Sequence, residues 1–342
     1  MKTLLDPDLQ MYLDNAELEA APAFTGNRYP TGSLALDMAT GGGWPLGMLC
    51  ELVGHESYGK TTVALLAAAA MQKRDPSTSV AFIDIEHSLN TPWAGSLGVN
   101  TGRLIHFKPG DSEEAFNAMR TLLKTKAETG KGVDMIILDS VQALSTRLRN
   151  ESVMEDQHMT REVRSLADVL RRIGHDLDAS QIVMLVINGL YMKMNAPPGH
   201  NPYTAYGGKN LGYKKAISIE LLKPKAAYGA KGTPQEGKLV GHTLRWVCRK
   251  NKTANPFLEG DTMLRVWPHI GIDRAVEAYD MGRELNIIVK DDGERITNTN
   301  STAYFNGEKL VAGRQNVIDL LYADMGLLEE IEAKAKEAIH GT

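Results

Sequence analysis

Cysteine is almost absent from this 342-residue chain: Cys50 and Cys248 are the whole complement. They lie far apart, each in an apolar stretch, so two buried free thiols are expected rather than a disulfide or a cysteine metal site. A reducing cytoplasmic setting fits such usage. Long apolar runs are missing too. No segment reaches the roughly 20 residues of a membrane-spanning helix, and the opening MKTLLDPDLQ is too polar for a secretory leader, so no membrane partner is expected. Net positive charge is also lacking. The 38 Lys and Arg stand against 42 Asp and Glu, a formal charge of −4. That excludes a chain coated in basic charge and confines any nucleic-acid contact to a local groove. There are no internal repeats, no low-complexity tract and no block of acidic residues at the end.

What is present suits a real core: 43% of residues are apolar and 23% charged. The length exceeds what one compact core usually holds, so a large and a small domain are expected. Residues 1–27 read as a short arm, with Leu9, Tyr12, Leu13 and Leu18 on one side of an amphipathic helix for subunit packing. Strands and helices then alternate. MLCELV, VAFIDIE, VDMIILDS and QIVMLVIN read as strands. TVALLAAAAMQKR, SEEAFNAMRTLLKTKAE (with a capping-box-like start at Ser112) and HMTREVRSLADVLRRIGHDL read as helices. The pattern predicts an α/β fold with a mainly parallel sheet flanked by helices. AISIELL, HTLRWVCRKN and TMLRVW look like antiparallel strands at one edge. From residue 272 the composition changes, so the division is an arm (1–27), a core (28–271) and a small C-terminal α+β domain (272–342).

The chemistry enters at GHESYGKTT. Gly54, Gly59, Lys60 and Thr61 match G-x-x-x-x-G-K-[ST], the phosphate-binding loop, with a strand before it and a helix after it. Here Gly54, His55, Glu56, Ser57, Tyr58, Gly59, Lys60, Thr61 and Thr62 would surround phosphates. Backbone N–H groups and the helix N-terminus face the anion. Lys60 supplies fixed charge and the Thr61 hydroxyl a ligand for Mg²⁺. Asp139 ends the strand VDMIILDS, where ligands of an open α/β sheet collect, and an acid there orients Mg²⁺ or its water. Glu86, the last residue of VAFIDIE, can polarise a water attacking the outer phosphate. Asp84 lies two residues earlier. Spacing alone does not separate these two acids from ordinary strand-end carboxylates.

Seven segments in order, GHESYGKTT, AFIDIEHSLN, VDMIILDSVQAL, EDQHMT, VINGLYMKM, YGGKNLGYKKAISIEL and RKNKTANPF, resemble the bacterial RecA recombinases, from about residue 30 to 271 and more loosely beyond. PTGSLALDMATGGGWPLG resembles their approach to the loop. The short arm, the missing acidic tail and several substitutions mark a divergent member, of a kind that a bacteriophage could encode. The resemblance implies a P-loop core of RecA type and an ATP- and Mg²⁺-dependent filament, a homo-oligomer, on single-stranded DNA. The filament pairs with homologous duplex DNA and exchanges strands, with DNA-dependent ATP hydrolysis. It leaves room for loader or single-strand-binding partners. By the same resemblance Glu86 activates the hydrolytic water, and Trp93 packs on adenine in place of a tyrosine. Asn90 stands where an aspartate contacts the base. Lys250 and Lys252 match paired lysines that reach the ATP of the adjacent subunit.

DNA would bind at two loops, about Arg147 to Met159 and Tyr191 to Gly208. The second is long, with Pro197, Pro198 and Pro202, and such loops are usually functional. The resemblance makes Met159 and Met194 wedges between base steps, and Arg164 and Arg171 phosphate-binding arginines. Sequence alone allows these arginines to be an ordinary polar helix face. Lys193, Gly207, Gly208 and Lys209 complete the second loop. Two alternatives stay open at this point: a ring-shaped helicase on the same core, and a coat or mediator that binds ATP without useful turnover.

The sharpest departure is VINGLYMK. Gly189 stands where relatives carry a glutamine that reports ATP to the second loop. The expectation is therefore weakened ATP–DNA coupling, with Asn188 carrying part of what remains and a restored glutamine at 189 increasing it, or inert where the neighbourhood has been remodelled.

Overall fold

The computed structural model describes residues 27–154, 173–174, 176–192, 202–229, 236–266 and 270–340. The expected arm, apart from residue 27, lies outside them.

The chain enters through strand β1 (Arg28–Tyr29), paired antiparallel with β2 (Trp44–Pro45) around helix α1 (Leu34–Thr40). Ser33 caps α1 by accepting the N–H of Leu36, and Gly41 closes it in the left-handed conformation. Strand β3 (Leu49–Gly54) leads into helix α2 (Lys60–Arg74). Then follow β4 (Val80–Asp84), α3 (Thr91–Ser96), β5 (Leu104–Phe107), α4 (Ser112–Thr129), β6 (Met135–Asp139), α5 (Val141–Met154) and β7 (Val183–Asn188). Asp111, one residue before the expected start, caps α4, because its carboxylate accepts the N–H of Glu114 at 2.7 Å.

Strands β8 (Leu190–Met192) and β9 (Tyr203–Ala205) form a hairpin, followed by the short helix α6 (Gly208–Lys214). Three longer strands come next: β10 (Ile217–Tyr228), β11 (Leu239–Asn251) and β12 (Glu259–Arg265), then the short β13 (Gly271–Ile272). The main sheet runs β13-β12-β11-β10-β3-β7-β6-β4-β5. From β10 to β5 every pairing is parallel; β11, β12 and β13 are antiparallel. The expected antiparallel edge is thus corrected for AISIELL. Strand β10 joins β3 in parallel, because the hairpin and α6 carry the chain back across the sheet between β7 and β10, as a parallel join requires.

The sheet buries both faces, which is why its central strands are continuous apolar runs. One face packs Cys50, Leu52, Phe82, Ile137, Leu185 and Ile187 against the alanine-rich α2. The other packs Ile83, Ile136, Leu138, Met184 and Val186 against Phe116, Met119 and Leu123 of α4. Both cysteines are free and buried.

The C-terminal stretch contains α7 (Arg274–Glu284), a three-stranded sheet of β14 (Ile288–Val289), β15 (Thr302–Phe305) and β16 (Glu308–Ala312), then α8 (Arg314–Ala323) and α9 (Met325–His340). It has an apolar cluster of its own around Tyr279, Phe305, Ile318 and Ile331. Helix α7 is fastened to α1 by a buried carboxylate: Glu277 accepts from the Ser33 hydroxyl at 2.5 Å and from the Leu34 N–H at 2.8 Å. No described helix is long and apolar enough to cross a membrane.

Candidate active site

The parallel strands end side by side. Asp84 lies in register with Asp139, Asp139 with Ile187, and Val53 with Asn188. The loop GHESYGKTT leaves the same edge. Gly54 is required there, since a Cβ would meet the Leu221 carbonyl oxygen of β10 at 2.6 Å. Gly59 takes φ 88°, a left-handed conformation that frees the chain to start α2 at Lys60. The Lys60 ammonium donates to the His55 carbonyl at 2.7 Å. Burial pulls its pKa down, opposed by the charges of Asp139, Glu86 and Glu56. The Thr61 hydroxyl donates to Asp139 at 2.8 Å. Burial pushes the Asp139 carboxyl up to about 6, against that hydrogen bond.

The two acids of VAFIDIE separate cleanly. Asp84 is buried and accepts from the N–H groups of Ser88 and Leu89 and pairs with His106 at 2.9 Å. Burial acts to raise its pKa, but the bonds from His106, Leu89 and Ser88 prevail and hold it below the usual carboxylate range. It fixes the turn that presents Glu86, which is exposed and accepts from the Ser140 hydroxyl. Arg147 clamps the same turn, donating to the carbonyls of Ile85 and Pro109 at 2.9 Å each. Ser140 was not singled out from the sequence; its place between Asp139 and the run VQAL is a helix-cap signal that marks it.

Asn90 caps α3, accepting the Trp93 N–H at 2.9 Å. Its carbonyl oxygen accepts that cap bond, and its amide nitrogen and second lone pair remain for a base. Trp93 and Tyr58 both pack, half-buried, on the cluster under α2.

The first expected loop is shorter than foreseen. Residues 147–154 belong to α5, because VQALSTRLRNESVM carries no glycine or proline to stop it. Met159, Arg164, Arg171, Lys193 and Met194 lie outside the described residues. The second loop is a hairpin at both ends, with Met192 facing Tyr203 across the strands. The Tyr203 ring meets the His55 ring edge-on at 4.6 Å, so the phosphate loop touches the hairpin directly. Gly207 and Gly208, both at positive φ, start α6, which also carries Lys209. Lys250 and Lys252 donate to the last carbonyls of α6, at Gly212 (2.6 Å) and Tyr213 (2.8 Å).

Asn188 does not face α2. Its neighbours Met184 and Val186 line the opposite sheet face. Its amide donates to buried Glu51 at 2.9 Å and to the Tyr206 carbonyl at 2.9 Å. Glu51 also binds Lys215 and the Ser218 hydroxyl. Its donors fasten β7 to β3 and to the end of the hairpin, and its side chain lies on the face away from α2. This Glu51 cluster was missed; an acid inside the apolar MLCELV was its signal.

A phosphate loop at the end of a central parallel strand, a hydroxyl paired to a strand-end aspartate and a solvent-exposed glutamate one strand away define a P-loop nucleoside-triphosphatase. Comparison narrows the class. The model of the RecA N-terminal domain matches residues 17–267. "Protein RecA" of Ehrlichia ruminantium (strain Gardel) is 33% identical over 99% of this chain and 92% of its own length. "Protein RecA" of Desulforapulum autotrophicum is 33% identical over 96% and 87%, and that of Acidothermus cellulolyticus 35% over 91% and 83%. The chain belongs to the RecA family. With the family comes its activity, ATP-dependent recombination with DNA-dependent ATP hydrolysis.

Proposed function

We propose that this chain polymerises on single-stranded DNA, pairs it with homologous duplex and exchanges strands in a cytoplasm, with the ATP site built from the residues above. The observation that supports it best is the 2.8 Å pairing of Thr61 with Asp139 beside Lys60. Hard oxygen donors at a strand end suit Mg²⁺, which keeps most of its waters and leans on phosphate oxygens rather than on a full protein cage. No group of three or more His, Cys, Asp or Glu that could hold a metal occurs among the described residues, consistent with such a partial set. Bound there, Mg²⁺ would neutralise charge between the outer phosphates.

The chain's own residues do the rest. The N–H groups at the start of α2 hold phosphate. Lys60 exchanges the His55 carbonyl for phosphate oxygen. Glu86, oriented by Ser140, takes the proton of the attacking water. Trp93 and the Asn90 amide hold the base. Lys250 and Lys252 complete a neighbouring subunit's site. Arg164, Arg171, Lys193 and Lys209 follow the DNA backbone while Met159 and Met194 pack on bases, and Gly207 and Gly208 let the chain pass close to it, giving sequence-independent binding. Residues 28–271 act as the catalytic core and 272–342 as a separate unit, with residues 1–27 packing on the neighbour.

The test is Lys60→Ala in an ATPase and strand-exchange assay. Turnover should fall at least about a hundredfold, the scale set by loss of one charge-stabilising donor. ATP-dependent DNA binding should weaken with it. Near-normal ATPase from a pure preparation would sink the assignment.

A further inference from the structure

A side chain at Gly189 would first meet one residue. A Cβ built there would lie 1.7 Å from Oε1 of Gln142 and 2.8 Å from its Cδ. The Gln142 carboxamide therefore lies against the Gly189 backbone, in the space that a side chain at 189 would take. Gln142 is the second residue of α5. The turn it belongs to is tied to the chemistry. Ser140 accepts the Ala143 N–H at 3.2 Å, as the cap of that turn, and the same hydroxyl donates to Glu86. Asp139, paired with Thr61, comes immediately before. On the other side of the contact, Gly189 joins β7 to the first strand of the hairpin. Gln142 thus bridges two places that no other side chain described above joins: the strand end bearing Asp139 and Ser140, and the root of the β8–β9 hairpin.

Two further observations fit a working role. The Gln142 amide has no hydrogen-bond partner among the described residues, and its side chain is half-buried, so its donors and acceptor can accept a partner as the site changes. Asn188, the neighbouring amide, is already committed to Glu51 and Tyr206.

We propose that Gln142 is a positioning residue that links the phosphate site to the hairpin, by pressing its carboxamide on Gly189 in place of the side chain that position lacks. This rests on the reading of the site given above. A movement of Glu86 or Asp139 towards phosphate and water carries Ser140 with it. Ser140 carries the first turn of α5, and Gln142 transmits the shift to Gly189. Coupling between two ligands is a difference in contacts between two states; the His55–Tyr203 ring contact joins the phosphate loop to the hairpin, and the Gln142–Gly189 contact joins the hairpin's root to the strand end that bears Asp139. Glycine at 189 is then a fitted partner: a larger residue would displace the carboxamide.

The experiment measures affinity for an oligo-thymidylate strand with and without a non-hydrolysable ATP analogue, together with analogue affinity and thermal midpoint. The proteins are wild type, Gln142→Ala, the volume-conserving Gln142→Met and the double variant Gln142→Ala/Gly189→Gln. In Gln142→Ala the ratio of the two DNA affinities should fall at least about fivefold, the low end of ordinary coupling. DNA affinity without nucleotide and the thermal midpoint should stay near wild type. Gln142→Met, which fills the space without an amide, should lower the ratio as well. The double variant supplies the carboxamide from the other side of the contact and should restore it. An unchanged ratio in both single variants, or a ratio that the double variant fails to restore, overturns the proposal. A wild type that binds neither the analogue nor the strand would sink the reading of the site itself. A wild type that binds both, with a ratio indifferent to residue 142, sinks this inference alone.

Discussion

Replacing Asn188 by alanine removes two hydrogen bonds at the centre of the molecule. The first goes to the Glu51 carboxylate and the second to the Tyr206 carbonyl, both at 2.9 Å. A bond to a charged acceptor contributes about 1.5–3 kcal/mol and a neutral one about 0.5–1.5 kcal/mol. Against this, the Asn188 carbonyl oxygen is buried without a partner among the described residues, and deleting it returns roughly 1 kcal/mol. The net cost is therefore about 1–3.5 kcal/mol, which lowers the thermal midpoint by about 1–5 °C for a chain of this size, at about 1.4 °C per kcal/mol. Asn188→Asp should cost more. It loses the donor and sets a second carboxylate against Glu51, a buried charge of the kind that costs about 3–5 kcal/mol when left uncompensated. The assay is thermal denaturation without nucleotide or DNA, beside a nucleotide-binding titration. Nucleotide affinity should stay within about twofold, since the amide faces away from α2. A midpoint within 1 °C of wild type (about 0.7 kcal/mol or less on the same scale), with aspartate tolerated as well as alanine, would refute the network. Lost nucleotide affinity at an unchanged midpoint would return Asn188 to the phosphate site.

Glu277 offers a pH test. Burial raises its pKa from 4.5 to about 7, against the bonds from Ser33 and Leu34. A raised carboxyl favours the folded state below pH 4.5, and that contribution is lost as pH rises through 7; Asp37 nearby, pushed up to about 6 by burial, acts in the same direction. Urea denaturation between pH 5 and 8 should show stability falling by an amount on the order of 4 kcal/mol at most, about two thirds of it from Glu277, and Glu277→Gln should remove that share. A wild-type curve already flat over that range contradicts the account. Lys250→Ala and Lys252→Ala should reduce ATPase while the isolated subunit still binds nucleotide, and mixing Lys250→Ala with Lys60→Ala subunits should restore part of the activity. Failure to recover at any ratio, with co-assembly verified, shows that these lysines do not act between subunits.

The parts of the site that follow one another closely in sequence were readable in advance. Gly54 to Thr61 is a single spaced motif, and Asp139 ends an apolar strand, so their chemistry is written locally. Which acid of VAFIDIE meets solvent was not: Asp84 and Glu86 differ through His106, 22 residues from Asp84, and Ser140, 54 residues from Glu86. The Glu51 cluster is farther still from local pattern, its partners standing 137 residues away at Asn188 and 164 at Lys215. The direction of β10 was hidden because an apolar run has the same composition whichever way it pairs. Gln142 reads as one more polar position on a helix; only the adjoining Gly189, 47 positions on in the numbering, gives it meaning.

The bond between Glu277 and Ser33 also bears on how the chain is made. The two residues are 244 positions apart. Synthesis at about 5–20 residues per second leaves α1 waiting on the order of 10–50 s for its partner. Until then the Ser33 hydroxyl and the Leu34 N–H must be satisfied by water, and the first turn of α1 cannot settle as it does in the finished molecule. A nascent chain can therefore assemble the central strands early, while the α1 edge stays provisional until α7 has left the ribosome. Emergence of α7, rather than completion of the nucleotide site, becomes the event that finishes the edge. A chain that stops after β13 would carry an open seam there for its whole life.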